Sequence, residues 1–283
     1  MEAVFSPFGY EYMLNAMLGA AMVGGVCAFL SCYLMLKGWS LISDALSHAM
    51  LSGVSGASML GLPLSFGAFV SAGLAAGCML FLKQRTKLKV DVIIELIFSF
   101  FFGGGLFVIS LNPALSNIHT VIFGNVLDIL PSCLIQLFII ASITIVILVF
   151  KWRDLMLVFF DESHAKSVGL RTERLNVIFF VLLTASIVAA IQTVGLFLVL
   201  CLVVTPGAAA RILTNSFPRQ IIISVSIGSV TSCLGAWASY YFDNAPGCII
   251  VVFQIILFMF VFLLSPTHGL FANSRRIRQS QDA

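Results

Sequence analysis

Asp44 and His48 lie four residues apart inside a stretch, 41–61, that otherwise reads as membrane-spanning. In a helix that spacing puts both side chains on one face, one turn apart. Ionisable groups at membrane depth are costly and face a cavity or pathway rather than lipid. A carboxylate beside an imidazole is also a serviceable ligand pair for a first-row divalent metal. On a helical wheel Ser40, Asp44, Ser47, His48 and Ser55 fall within roughly a 100° arc, while Ile42, Leu46, Ala49 and Met50 occupy the far side. The segment thus predicts an amphipathic helix whose polar stripe borders a water-filled path. A purely structural reading has Ser40 capping the helix and the helix dipole favouring Asp44, but it does not require His48 one turn deeper.

One aspartate and one histidine are too few ligands to hold a metal. Two copies facing each other across a two-fold axis would supply two carboxylates and two imidazoles. That mixed set suits Mn²⁺, Fe²⁺ or Zn²⁺ rather than Mg²⁺ or Ca²⁺, which prefer oxygen-only shells. The lack of a denser His/Cys cluster fits passing contact better than storage. Glu95, near the start of a later span and close to Asp91, is expected as a first-turn carboxylate, with a gating or supporting role beside the pair as the alternative. Gly103-Gly104-Gly105 suggests close helix packing, since no GxxxxGK[ST] pattern follows. His119 and His268 fall in connections outside the spans.

The elements that must position these groups are membrane helices. The chain has 283 residues, 60% hydrophobic and 10% charged, with a mean hydropathy of +1.09, far above soluble domains. It is an all-α polytopic membrane protein by this reading, a single domain with spans expected near 11–36, 41–61, 63–83, 92–111, 131–150, 175–191, 194–206, 220–241 and 247–265. Gly61-Leu62-Pro63 predicts a tight turn. With nine spans all 15 Lys and Arg residues fall in connections on one side of the membrane. The positive-inside rule then puts the C-terminus in the cytoplasm and the N-terminus outside. The net charge of +3 points to no nucleic acid. Two cytoplasmic connections read as contact surfaces: 151–174, containing Asp161-Glu162-Ser163-His164-Ala165-Lys166, and 206–219, where 207–211 reads as a small-residue helix. The outer connection 111–131, with Asn112, Pro113, His119, Asn125 and Asp128, is a plausible vestibule.

Absences narrow the chemistry. There is no HExxH, no GxSxG and no Walker A, so the chain does not itself hydrolyse ATP by any of these motifs. The seven cysteines include no CxxC pair and read as apolar packing residues. The opening Met-Glu-Ala-Val lacks a basic region, so a cleaved signal peptide is not expected.

Set in order, several short motifs resemble one group, the integral-membrane permeases of bacterial ABC importers for manganese, iron and zinc. They are Ser31-Cys32-Tyr33-Leu34 with Leu36-Lys37-Gly38-Trp39-Ser40-Leu41, then Asp44-Ala45-Leu46-Ser47-His48-Ala49, and Phe123-Gly124-Asn125. Phe160-Asp161-Glu162-Ser163-His164-Ala165 with Gly169-Leu170 follows, then Val194-Gly195-Leu196, Thr205-Pro206-Gly207-Ala208, Pro246-Gly247 and His268-Gly269-Leu270. The wording is most similar to chelated-iron and manganese permeases of Gram-negative bacteria. The resemblance implies an ABC importer permease fold of eight to nine spans in the inner membrane. It implies that Asp44 and His48 line the translocation path; Ser47 and Glu95 are candidate supporting or gating residues from their place in the sequence alone, Glu95 standing where relatives often carry Gly. It also implies that the segment 206–218, with Pro206, Gly207, Ala208, Ala209, Ala210 and Arg211, docks on the ATPase. The expected partners are a second permease subunit (a copy or a homologue), two ATP-binding subunits, a periplasmic metal-binding protein and membrane lipid. No cofactor is expected in this chain, ATP being bound by the partner. The alternatives are a proton-coupled secondary metal transporter, with Asp44, His48 and Glu95 relaying protons, and a structural membrane protein that moves no ion.

Overall fold

Apolar runs in lipid must satisfy their own backbone groups, and helices do so within one segment. The computed structural model describes residues 10–111, 131–242 and 244–264, and among them every regular element is a helix. In order these are α1 (Glu11–Lys37), α2 (Ile42–Leu60), α3 (Leu64–Arg85), α4 (Val90–Leu111), α5 (Pro131–Phe150), α6 (Trp152–Phe160), α7 (Glu162–Ser167), α8 (Thr172–Val194), α9 (Leu196–Leu213), α10 (Phe217–Phe242) and α11 (Pro246–Leu264). Eight of them are long and apolar enough to cross a membrane. The exception among the long helices is α2, whose serines, Asp44 and His48 make it too polar to qualify. His119, Asn112, Pro113, Asn125, Asp128 and His268 lie outside the described residues, as do Phe123-Gly124-Asn125 and His268-Gly269-Leu270.

Helix α1 runs through the middle, buried over much of its length, and packs against α10, α9, α5 and α8. Small and hydroxyl residues let these helices approach, as expected where lipid gives no hydrophobic drive for helix association. Ser224 donates to the Ala28 carbonyl at 2.9 Å. Thr144 and Ser186 join α5 to α8 at 3.1 Å. Large apolar side chains such as Phe100, Phe107, Ile256 and Phe260 point outward.

The turn from α2 to α3 follows the sequence. Gly61 takes the left-handed conformation (φ 66°), and the N–H groups of Gly61 and Leu62 return to the Ser58 and Ala57 carbonyls. This is the Schellman arrangement, which glycine permits at no steric cost. α2 and α3 then cross in close contact. A Cβ on Gly53 would come within 2.6 Å of Ser71 Cβ, and one on Gly67 within 3.1 Å of the Gly53 carbonyl carbon. Only glycine fits, so this crossing fixes where α2 sits.

The ends of α1 and α3 and the start of α8 meet at one end of the bundle. Lys37 donates to Asn176 at 3.0 Å, and Lys83 pairs with Glu162 of α7 at 3.3 Å. The first three of the basic connections assigned to one side of the membrane are therefore neighbours in space.

Candidate functional site

Asp44 stands in the first turn of α2. The expected Ser40 cap does not form: the helix begins behind Leu41 with no side-chain cap, and the Ser43 hydroxyl donates to the Ser40 carbonyl at 3.2 Å. The dipole still favours a carboxylate there. One turn on, His48 Nε2 lies 3.3 Å from Asp44 Oδ1, with side-chain exposures of 22% for His48 and 46% for Asp44. The pair is thus at the chain's edge, with the carboxylate turned outward. The rest of the expected stripe is divided. Ser47 is fully buried and its hydroxyl has no partner, while Ser55 is buried and donates to the Leu51 carbonyl at 2.8 Å.

The wall behind His48 comes from α4, which runs beside α2 in the same direction. The imidazole is held at a steep angle to two phenyl rings, Phe98 (88°) and Phe102 (79°), each with its centroid 5.1 Å away. Those phenyls stack on each other at 5.4 Å. Further along, a Cβ on Gly105 would sit 3.1 Å from Ser52 Cα. The close-packing reading of the glycine triplet therefore holds for Gly105, whereas Gly103 and Gly104 border open space. Glu95 is exposed, one turn before Phe98 on the same stripe. It lies in the second turn of α4, so the first-turn carboxylate is Asp91. Among the described residues no three His, Cys, Asp or Glu side chains come together to hold a metal. Asp44 and His48 offer two donor groups side by side, and among the described residues no third His, Cys, Asp or Glu joins them.

The segment 206–218 differs from its reading as a separate connection. Helix α9 continues unbroken through Pro206 to Leu213. Proline in a helix removes the N–H that the carbonyl four residues back would accept, and on either side of it a neighbouring helix bonds to the α9 backbone. The Ser31 hydroxyl accepts from the Gly207 N–H at 3.2 Å and donates to the Val204 carbonyl at 3.3 Å. Pro206, Gly207, Ala209 and Ala210 are buried against the bundle, Ala208 is half-buried, and of the six only Arg211 is exposed. Packed in this way, the small residues hold helices together, while Arg211, Leu213, Asn215, Ser216 and Pro218 of the same segment are exposed.

The other connection has the opposite character. α6 and α7 form a short two-helix element hinged at Asp161. The Asp161 carboxylate caps α7, accepting from the N–H groups of Ser163 and His164 at 2.9 and 3.0 Å. Leu155, Val158 and Phe159 face the core, while Phe160 is 76% exposed. Phe159 also packs edge-on to Phe179 with centroids 4.7 Å apart. Glu162 joins Lys83 at 3.3 Å and Lys166 at 3.2 Å. Burial alone would push its carboxyl up, but Lys83, Lys166 and Lys37 outweigh that and hold it below its usual range. Lys37 and Lys83 lie over the Trp39 ring, at 4.1 and 4.6 Å. The element is firmly based, and it presents exposed Phe160 among polar and charged neighbours such as Arg153, His164 and Lys166.

Sequence reasoning missed Phe98, Phe102 and Ser31. The two phenylalanines sit in a run, Ile97-Phe98-Ser99-Phe100-Phe101-Phe102, in which only the i, i+4 spacing hints that 98 and 102 share a face. Nothing in the sequence pairs Ser31 with Pro206.

With this geometry in hand, the comparisons are specific. A family model described as the ABC 3 transport family matches residues 9–265. The chain is 50% identical over 278 residues to the "Chelated iron transport system membrane protein YfeC" of Yersinia pestis, covering 98% of this chain and 95% of the relative. It is 40% identical over 273 residues to the "Manganese transport system membrane protein MntB" of Synechocystis sp., covering 96% and 89%. Among solved structures it resembles PsaBC from Streptococcus pneumoniae, with a TM-score of 0.80, 30% identity and coverage of 92% and 94%.

Proposed function

The chain belongs to the ABC 3 transport family, and on that premise we propose that it is the permease subunit of an ATP-driven importer for divalent transition-metal ions. The cargo is Mn²⁺ or Fe²⁺, with Zn²⁺ as a third candidate, and the membrane is the bacterial inner membrane. The observation that carries this reading is the Asp44–His48 pair. It is the one carboxylate–imidazole contact among the described residues, and it sits on the most polar of the long helices with its carboxylate half exposed. Hard oxygen plus borderline nitrogen is a donor set for these ions.

In this reading a second permease, a copy or a homologue, sets its own pair opposite and completes the ion's surroundings. Two ATP-binding subunits supply the energy and a periplasmic metal-binding protein delivers the ion, while this chain performs no hydrolysis. The basic end of the bundle is cytoplasmic. There the α6–α7 element, rather than the buried residues 206–210, is the better docking surface, and Arg211 stands exposed in the last turn of α9. Exposed Phe160 over a fixed base is what a partner's groove takes.

The test is ATP-dependent uptake of radioactive Mn²⁺ and Fe²⁺ into vesicles holding the chain with its partner subunits. Asp44→Asn and His48→Ala are run at matched expression. Loss of uptake with ATPase activity retained is expected. Uptake that survives in both variants would sink the reading, and uptake driven by a pH gradient without ATP would replace it with proton coupling.

A further inference from the structure

Resting on that reading, we infer that Phe98 and Phe102 set how weakly His48 holds its ion, by denying the imidazole a polar support. A histidine that binds metal tightly donates its other ring N–H to a carboxylate, carbonyl or water, which fixes the ring and strengthens it as a ligand. His48 is built otherwise. Its Nε2 lies toward Asp44, and its Nδ1 is buried with no hydrogen-bond partner. The ring is positioned by shape instead: the parallel phenyls of Phe98 and Phe102 stand at steep angles to it, each 5.1 Å away. Ser47 is the nearest hydroxyl in sequence, and it is buried with no partner, so it does not bond Nδ1. Aromatic contacts of this kind hold a ring in place without the polarisation that a hydrogen bond brings.

The two aromatics are thus positioning residues with a kinetic purpose. They keep His48 oriented toward the path while leaving it a poor ligand. An importer gains from that, since an ion bound through a supported imidazole leaves slowly. The phenyls trade affinity for release.

The experiment uses the assembled transporter in lipid nanodiscs and proteoliposomes. Phe98→Gln and Phe102→Gln each offer Nδ1 an amide, and Phe98→Leu and Phe102→Leu keep the wall apolar. Mn²⁺ binding without ATP is read from the loss of the free-ion electron paramagnetic resonance signal, and KM and Vmax from uptake. At least one glutamine variant is expected to bind Mn²⁺ about tenfold more tightly than its leucine counterpart, with a lowered Vmax. A merely structural role predicts equal affinities in each pair. His48→Ala runs alongside. If it abolishes uptake while both glutamine variants bind no more tightly than the leucines, the inference fails and the proposed path stands. If His48→Ala leaves uptake intact, the path itself is wrong.

Discussion

The Ser31 hydroxyl takes the Gly207 N–H at 3.2 Å and gives its own proton to the Val204 carbonyl at 3.3 Å, so α1 clasps α9 around Pro206. A Cβ on Gly207 would come within 2.8 Å of Ser31 Cβ. Gly207→Ala is therefore expected to cost about 1–3 kcal/mol through overpacking, and Ser31→Ala about 1 kcal/mol. In the double variant the alanine at 31 relieves part of the clash, so the double variant should lose less than the sum of the two single losses. Thermal unfolding in detergent checks this, and strict additivity would mean the residues do not meet.

The α2–α3 crossing places the Asp44–His48 pair. Gly53→Val is expected to force the helices apart, costing stability and lowering metal uptake although residue 53 touches no ion. Gly77→Val, at an open position on α3, is the control and should leave both unchanged.

Phe160→Ser is expected to weaken co-purification of the ATP-binding subunits and to abolish ATP-driven uptake, with the chain's own melting temperature unchanged. An apolar anchor at the centre of a contact costs about 2 kcal/mol of binding or more when removed, and most other contact residues cost less. Ala209→Ser, at a position wholly buried in α9, should act on stability and leave co-purification intact. The reverse pattern would restore 206–211 as the docking segment.

Glu162 gives a pH test. Its carboxyl is held below its usual range, so the stability it contributes is complete above about pH 4.3, the ordinary glutamate value. That contribution is lost as pH falls through the lowered folded value. The melting-temperature difference between wild type and Glu162→Gln should accordingly stay level from pH 8 to about 5 and shrink below that. A difference that grows on acidification would mean the lysines do not stabilise the charged form.

What the sequence disclosed follows the reach of its signals. Long apolar runs have one solution in lipid, so the helices Glu11–Lys37 and Pro131–Phe150 fall almost where periodicity puts them. Local punctuation was equally legible at Gly61-Leu62-Pro63, because the turn's chemistry lies within three residues. The same habit misled at Pro206, where α9 continues and a residue 175 positions earlier, Ser31, bonds its backbone on either side of the proline. Asp44 and His48 were visible because their spacing is local. Phe98 and Phe102 were not, since their meaning depends on α4 lying beside α2, and Ile97, Phe100 and Phe101 in the same run hide the relevant two. Burial also redistributed the polar stripe: Ser47 and Asp44 are near neighbours on the wheel, yet one is enclosed and the other looks outward.

Asp44 shows 46% of its side chain beyond the chain's own packing, against 22% for His48. A coordination sphere split between two polypeptides has an evolutionary liberty that a single-chain site lacks. With identical chains, any change of ligand is made twice at once, and the ion feels both. With two diverged chains, one half can be altered while the other keeps its grip. On the proposed reading, ion preference then becomes a property of the pairing, tunable by exchanging one subunit.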